Sequence, residues 1–200
     1  FLASQDRCFS DNPKELTKHA KIFIELHLKN NVIPVCKHFP GQGSASGDSH
    51  EGLVDVTDTW QESELKPYKT LIKDESIKAI MTSHLIHKKL DPSLPATLSS
   101  KVLNDLLRID MGFNGVIISD DPSMSAISKY YNLKETLLLM IEAGVDMFCF
   151  GNNLNYDKNL LKKVFNILVE LYEEKKISEN QIHMAYKRIM NLKRSIGIVN

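Results

Sequence analysis

The sequence predicts an α/β protein assembled from strand–helix units around a parallel sheet. Three observations carry that expectation. Short apolar, β-branched runs recur at Val32–Cys36, Ile77–Thr82, Gly115–Ser119 and Val145–Phe150. Helical periodicity fills the intervals between them. Polar residues able to do chemistry stand at the carboxyl end of each run: Lys37-His38, Ser83-His84, Asp120-Asp121 and Asn152-Asn153. In parallel α/β sheets, open or closed into a barrel, ligands gather on that rim.

Asn12-Pro13-Lys14-Glu15 predicts a helix start, with Asn12 as cap, Pro13 at the first helical position and Glu15 completing a capping box. Leu16, Ala20, Phe23 and His27 then share one face, and the helix ends near Asn30-Asn31. After the first strand, Lys37 to about Thr59 is polar, Gly-rich and aperiodic, a length of loop that is usually functional inside a compact domain. Helical pattern returns from Glu62 to Ile72. Beyond the second strand, Ser99 is placed to cap a helix carrying Val102, Leu103, Leu106 and Leu107 that stops at Gly112. Leu133 to Ala143 is helical up to Gly144. Two further helices are expected over 156–174 and 179–195, the second capped by Ser178 with Gln181. No repeat or linker divides the chain, so 1–200 reads as a single domain.

Composition narrows the function classes. Lys plus Arg number 25 and Asp plus Glu number 25, so no overall field draws the chain toward nucleic acid or an anionic bilayer. No apolar run approaches the roughly 18 residues of a membrane span, and membrane insertion is not expected. Cys8, Cys36 and Cys149 are expected as buried free thiols rather than a disulfide framework. The chain opens on Phe1 without a signal-peptide pattern and reads as a fragment. No pattern assigns a compartment or an oligomeric state.

The loop from Lys37 offers a cation, an imidazole and two glycines, in Lys37-His38-Phe39-Pro40-Gly41-Gln42-Gly43. Within it, Asp48-Ser49-His50 places a carboxylate where it can fix the tautomer of an imidazole, a usable general acid/base. Taken alone, an Asp-x-His is more often an idle loop histidine. Asp120 and Asp121 end an apolar strand, where two carboxylates are costly unless bonded or exposed to a site. Asp121 is expected to cap the following segment and Asp120 to face the cavity, where a carboxylate can attack an anomeric carbon.

At this point the ordered motifs resemble the family 3 glycoside hydrolases, and within them the β-N-acetylhexosaminidase branch that includes bacterial peptidoglycan-recycling enzymes. The matching strings are Lys37–Gly41, Asp48-Ser49-His50, Leu90-Asp91-Pro92 with Pro95–Ser99, Gly112–Asp121 and Ala143–Met147. The resemblance implies a (β/α)8 TIM-barrel-like catalytic domain, here its truncated C-terminal portion with about four parallel strands and flanking helices. It implies Asp120 as nucleophile and His50, oriented by Asp48, as acid/base. It also implies that Arg7, Lys37 and His38 bind the sugar, that the substrate is a carbohydrate, and that neither cofactor nor metal takes part. The expected reaction is retaining removal of terminal β-linked GlcNAc, on peptidoglycan-derived sugars, in a bacterial cytoplasm, periplasm or secreted setting. Gln42 departs from a histidine common in the family, at a position of loop architecture. The family's earlier strands have no counterpart here, which predicts an incomplete barrel that is inactive in isolation.

Three other functions fit parts of the pattern. A histidine acid/base does not repel phosphate, so phosphorolysis could replace hydrolysis. His38, His50, His84, Asp48 and Asp120 could instead be metal ligands of a barrel hydrolase, although Lys37 beside them would repel a cation. The third alternative is a non-catalytic sugar-binding fragment. Of the smaller signals, His84 is open between lining the site floor and serving the fold. His27 and His87 are expected on a surface or helix face, and Trp60 as an apolar anchor for the long loop.

Overall fold

The computed structural model describes residues 5–47, 52–153 and 156–199. Its centre is a parallel sheet of β1 (Val35–Phe39), β3 (Ala79–Thr82) and β5 (Val116–Ile118), in the order β1-β3-β5. Ala79, Ile80, Val116 and Ile117 are each fully buried. Neighbouring residues along a strand point to opposite faces, so both faces of this sheet are buried, which is why its strands read as continuous apolar runs rather than alternating ones. A second, two-stranded parallel ladder joins β2 (Val54–Asp55) to β4 (Leu85–Ile86), inside stretches that carry no strand periodicity.

The flanking helices are α1 (Pro13–Lys29), α2 (Lys66–Lys73), α3 (Ser125–Ser128), α4 (Leu133–Ala143), α5 (Leu160–Glu173) and α6 (Glu179–Arg194). Asn12 caps α1 by accepting from the amides of Lys14 and Glu15, and Ser178 with Gln181 forms a full capping box on α6. Gly144 ends α4 at φ 92°, a left-handed turn that a side chain would resist. Helix α2 is preceded by a 3-10 turn over Glu62–Leu65. The segment Lys101–Asp110 winds as a π-helix rather than an α-helix. Ser99 still serves its entry, accepting from Val102 N at 3.2 Å while donating to Asp91 Oδ2 at 2.6 Å. The core gathers Phe39, Leu103, Leu107, Ile127, Leu137 and Met140 between sheet and helices. Among the described residues no helix is long and apolar enough to cross a membrane.

Several expectations are corrected. The first strand starts at Val35 and continues through Phe39, so Lys37 and His38 lie within it rather than after it. Its pairing with β3 shifts register between Cys36 and Phe39, and the Lys37–His38 and Phe39–Pro40 peptides are cis. The fourth strand shrinks to one bridge, Ile118 with Met147. The reason lies in side chains brought in from elsewhere in the sequence: Ile117 N donates to the Asp146 carboxylate, Cys149 N to Ser119 Oγ, and Gly151 N to the Asp121 carboxylate. Side chains thus take the amides that would have extended the ladder. Phe23 is exposed, and Ile24 with Ala20 buries the inner face of α1 instead. Cys8 and Cys149 are exposed and Cys36 half-buried, all three as free thiols. His87 is buried, packed edge-on against Trp60 at 4.7 Å between ring centroids.

Asp146 is the main electrostatic joint of the fold. Its carboxylate, 1 % exposed, accepts from Arg108 Nη2 at 2.6 Å and from Arg188 Nη1 at 2.9 Å, in addition to Ile117 N. Arg108 also donates to the carbonyls of Phe113 and Gly115. The charge is therefore paired and its lone pairs are occupied, the condition under which a buried ion is tolerated.

Candidate active site

β1 delivers His38 and the end of β5 delivers Asp120 to one place. His38 Nε2 lies 3.7 Å from Asp120 Oδ2, too long for a hydrogen bond but close enough for the carboxylate's field to favour a proton on the ring. The two strands flank β3 in a parallel sheet, so residues leaving their carboxyl ends share a rim. Asp120 is partly exposed, while His38 is only 7 % exposed and its Nδ1 has no hydrogen-bond partner among the described residues.

Burial pushes the His38 imidazole down to about 4, against the pull of the Asp120 carboxylate; the positive charges of Lys37 and Arg7 oppose its protonation further, as would a proton on His84. His38 is therefore neutral at neutral pH, and has one hydrogen to donate and one lone pair to accept with. Arg7 and Lys37 are exposed, and their field reaches His38. The Asp120 carboxylate is oriented by its neighbour: Oδ1 accepts from Asp121 N at 2.9 Å. Asp121 is instead spent on the following turns, accepting from Ser123 N, Ser123 Oγ and Gly151 N. The two adjacent carboxylates thus have separate tasks.

His84 is buried beside Asp121. Its Nδ1 meets Thr97 Oγ1 at 2.9 Å and its Nε2 meets the Asp121 carbonyl at 2.9 Å. Asp48 and His50 lie outside the described residues. The near side of their loop is anchored: Glu64 accepts from Gly43 N at 2.9 Å and from the Ser44 hydroxyl, and Trp60 Nε1 donates to Pro40 O at 3.3 Å. The far side is held where Val56 N donates to Ile86 O at 2.9 Å and Lys88 pairs with Asp55. Among the described residues no three His, Cys, Asp or Glu side chains converge as metal ligands.

Thr82, Thr97 and Glu64 carried no functional signal of their own in the sequence, and Cys149 was legible only as a free thiol. Partial burial, with the carboxylates of Asp121 and Asp120, pushes the Cys149 thiol's titration upward. Thr97 lies inside the Pro95–Ser99 string, so its place in an ordered motif was the available signal. Asp91, in the companion string, accepts from Ser93 N, Leu94 N and Ser99 Oγ, a purely architectural task.

Parallel strand–helix units with a carboxylate and an imidazole converging at the strand ends define an α/β protein of the TIM-barrel type with its site on the carboxyl rim. Residues 3–192 match the glycosyl hydrolase family 3 N-terminal domain, and the chain belongs to that family. Among its relatives is a beta-hexosaminidase of Idiomarina loihiensis, 35% identical over 151 residues that make up 74% of this chain and 45% of the relative. Among solved structures, a glycoside hydrolase family 3 beta-N-acetylglucosaminidase from Paenibacillus sp. superposes with a TM-score of 0.87 at 29% identity, covering 96% of this chain and 36% of that one. CbsA from Thermotoga neapolitana also gives a TM-score of 0.87, at 30% identity over 95% of this chain and 43% of its own. The chain spans less than half the length of these proteins.

Proposed function

We propose that this chain carries the catalytic rim of a retaining β-N-acetylhexosaminidase, acting on terminal β-linked GlcNAc of peptidoglycan-derived sugars. The observation that supports it best is the approach of a neutral, buried His38 to the carboxylate of Asp120 at the strand ends, in a chain of this family. Asp120 attacks the anomeric carbon as the glycosidic bond breaks, giving a covalent glycosyl-enzyme; water then displaces Asp120 and restores the anomeric configuration. His50, paired with Asp48, gives its proton to the leaving oxygen in the first step and takes one from water in the second. His38 and Lys37, with Arg7, hold sugar hydroxyls. An imidazole needs no negative charge to act as base, so the site tolerates anions near the anomeric carbon better than one built on two carboxylates.

The test, run with the barrel's upstream strands present, is turnover of a p-nitrophenyl N-acetyl-β-glucosaminide in the presence and absence of inorganic phosphate, with the sugar product identified. Free GlcNAc in both conditions is expected. GlcNAc-1-phosphate as the main product with phosphate would make the protein a phosphorylase. Activity abolished by a chelator and restored by zinc would replace the covalent mechanism with a metal-assisted one.

A further inference from the structure

Beneath Asp120 lies a ring of hydrogen bonds that no catalytic step consumes. Asp120 N donates to Thr82 Oγ1 at 3.2 Å, Thr82 Oγ1 contacts Thr97 Oγ1 at 2.8 Å, Thr97 Oγ1 contacts His84 Nδ1 at 2.9 Å, and His84 Nε2 contacts Asp121 O at 2.9 Å. The peptide between Asp120 and Asp121 closes the ring. Thr82, His84 and Thr97 are all essentially inaccessible to solvent, so their polar atoms are served by protein groups rather than by bulk water.

The hydrogens in the ring can be counted from partner chemistry. A carbonyl only accepts, so His84 Nε2 carries a hydrogen. An amide only donates, so Thr82 Oγ1 accepts from Asp120 and spends its own hydrogen on Thr97 Oγ1. Thr97 has one hydrogen and two acceptors in reach, His84 Nδ1 at 2.9 Å and Ser83 O at 2.7 Å, but Ser83 O already accepts from Thr97 N at 2.9 Å. With His84 neutral and its Nδ1 a lone pair, the donors run Asp120 N–H to Thr82, Thr82 to Thr97, Thr97 to His84 Nδ1 with Ser83 O as second acceptor of the same hydrogen, and His84 Nε2–H to Asp121 O.

We propose that His84, as the neutral Nε2–H tautomer and acting through Thr97 and Thr82, is a positioning residue that fixes the Asp120–Asp121 segment and with it the Asp120 carboxylate. The ring holds the segment at its first amide and its last carbonyl. The amide between them, Asp121 N, is the group that orients the carboxylate. Through the ring, the effect of His84 on the chemistry passes by way of the placement of Asp120. That consequence rests on Asp120 being the nucleophile, whereas the ring itself does not.

The test is NMR on the 200-residue chain and on His84→Gln, His84→Asn, Thr97→Ser and Thr97→Val. In the unsubstituted protein the His84 ring is expected to carry hydrogen on Nε2 alone; a spectrum with hydrogen on Nδ1 alone or on both nitrogens overturns the proposal. Gln keeps a donor near Nε2 and Ser keeps the hydroxyl, so both should leave Asp120 amide exchange within about threefold of the unsubstituted chain. Asn and Val break the ring and should speed that exchange by about tenfold or more, one hydrogen bond's worth. The amides of Leu137 and Met140 in α4 should stay unchanged. Acceleration of all these amides together, or none at Asp120, contradicts the proposal. A separate arm measures loading of Asp120 by a fluorinated GlcNAc fluoride. The loading rate should fall about 10- to 100-fold in the Asn and Val variants, with sugar affinity within about threefold. Absence of any loading in the unsubstituted protein, tested with the barrel's upstream strands present, counts against the glycosidase reading, while the exchange and tautomer results still decide the ring.

Discussion

At the residue scale, His38 shows what burial does to a titratable group near a carboxylate. Its folded value of about 4 lies below the ordinary 6.5, because desolvation outweighs the attraction of Asp120. Between those two values the unfolded chain binds a proton that the folded chain does not. Stability is therefore complete above about 6.5 and falls as pH drops toward 4. At about 1.4 kcal/mol per unit, this one group costs up to about 3 kcal/mol by pH 4. Urea midpoints from pH 8 to 4 should fall less in His38→Gln than in the unsubstituted chain; His87, whose titration burial also lowers, keeps part of the slope in both. Replacing His50 with Ala should lower hydrolysis of an unactivated GlcNAc glycoside by about 10²- to 10⁴-fold, the span of a lost general acid/base, and external azide should restore part of the rate with activated substrates. Asp120 and His38 were legible as strand-end residues with chemistry, and Asp121 as a cap. Thr82 and Thr97 were not, because neutral hydroxyls carry no charge pattern and acquire a task only when the chain folds them under Asp120. The role of His84 stayed open for the same reason: an imidazole at a strand end has the same sequence signature facing a cavity or facing a carbonyl.

At the scale of elements, the joint between β5, the π-helix and α6 depends on Asp146. Asp146→Ala leaves Arg108 buried without its partner, and a loss of about 3–5 kcal/mol is expected from chemical denaturation. Asp146→Asn keeps the acceptor for Ile117 N and should lose less. Gly115 marks a second close approach: a methyl there would sit 2.4 Å from the carbonyl oxygen of Lys78, on the neighbouring chain segment that leads into β3. Gly115→Ala should therefore cost about 1–3 kcal/mol as β5 shifts against β3, read from the thermal midpoint. Helix boundaries were well marked in the sequence because caps are local, as Asn12, Ser178 and Gly144 demonstrate. Strand extents were not. Whether the run after Gly144 pairs as a strand is decided by side chains distant in sequence, Ser119 and Asp121, which capture its amides. The π-helix was equally invisible, since Val102, Leu103 and Leu107 present an apolar face at α-helical spacing.

Across the whole molecule, 25 basic and 25 acidic residues cancel, and a neutral sugar gains nothing from long-range steering. Raising salt from about 0.05 to 0.5 M should therefore leave kcat/KM for a neutral GlcNAc glycoside within about twofold, whereas an anionic substrate would show a marked fall as Arg7 and Lys37 are screened. The parallel sheet was readable from the alternation of apolar runs and helices because both signals repeat over the length of the chain. The two-stranded ladder of β2 and β4 was hidden by its brevity and by the polar loop around it. What joins these scales is the claim that the oxygen of Asp120 attacks the sugar while its neighbour holds the backbone. Peptide mapping after incubation with a fluorinated GlcNAc fluoride tests it most directly. The sugar mass is expected on Asp120 and absent in Asp120→Asn; the same mass on Asp121 would contradict the division of labour between the two carboxylates.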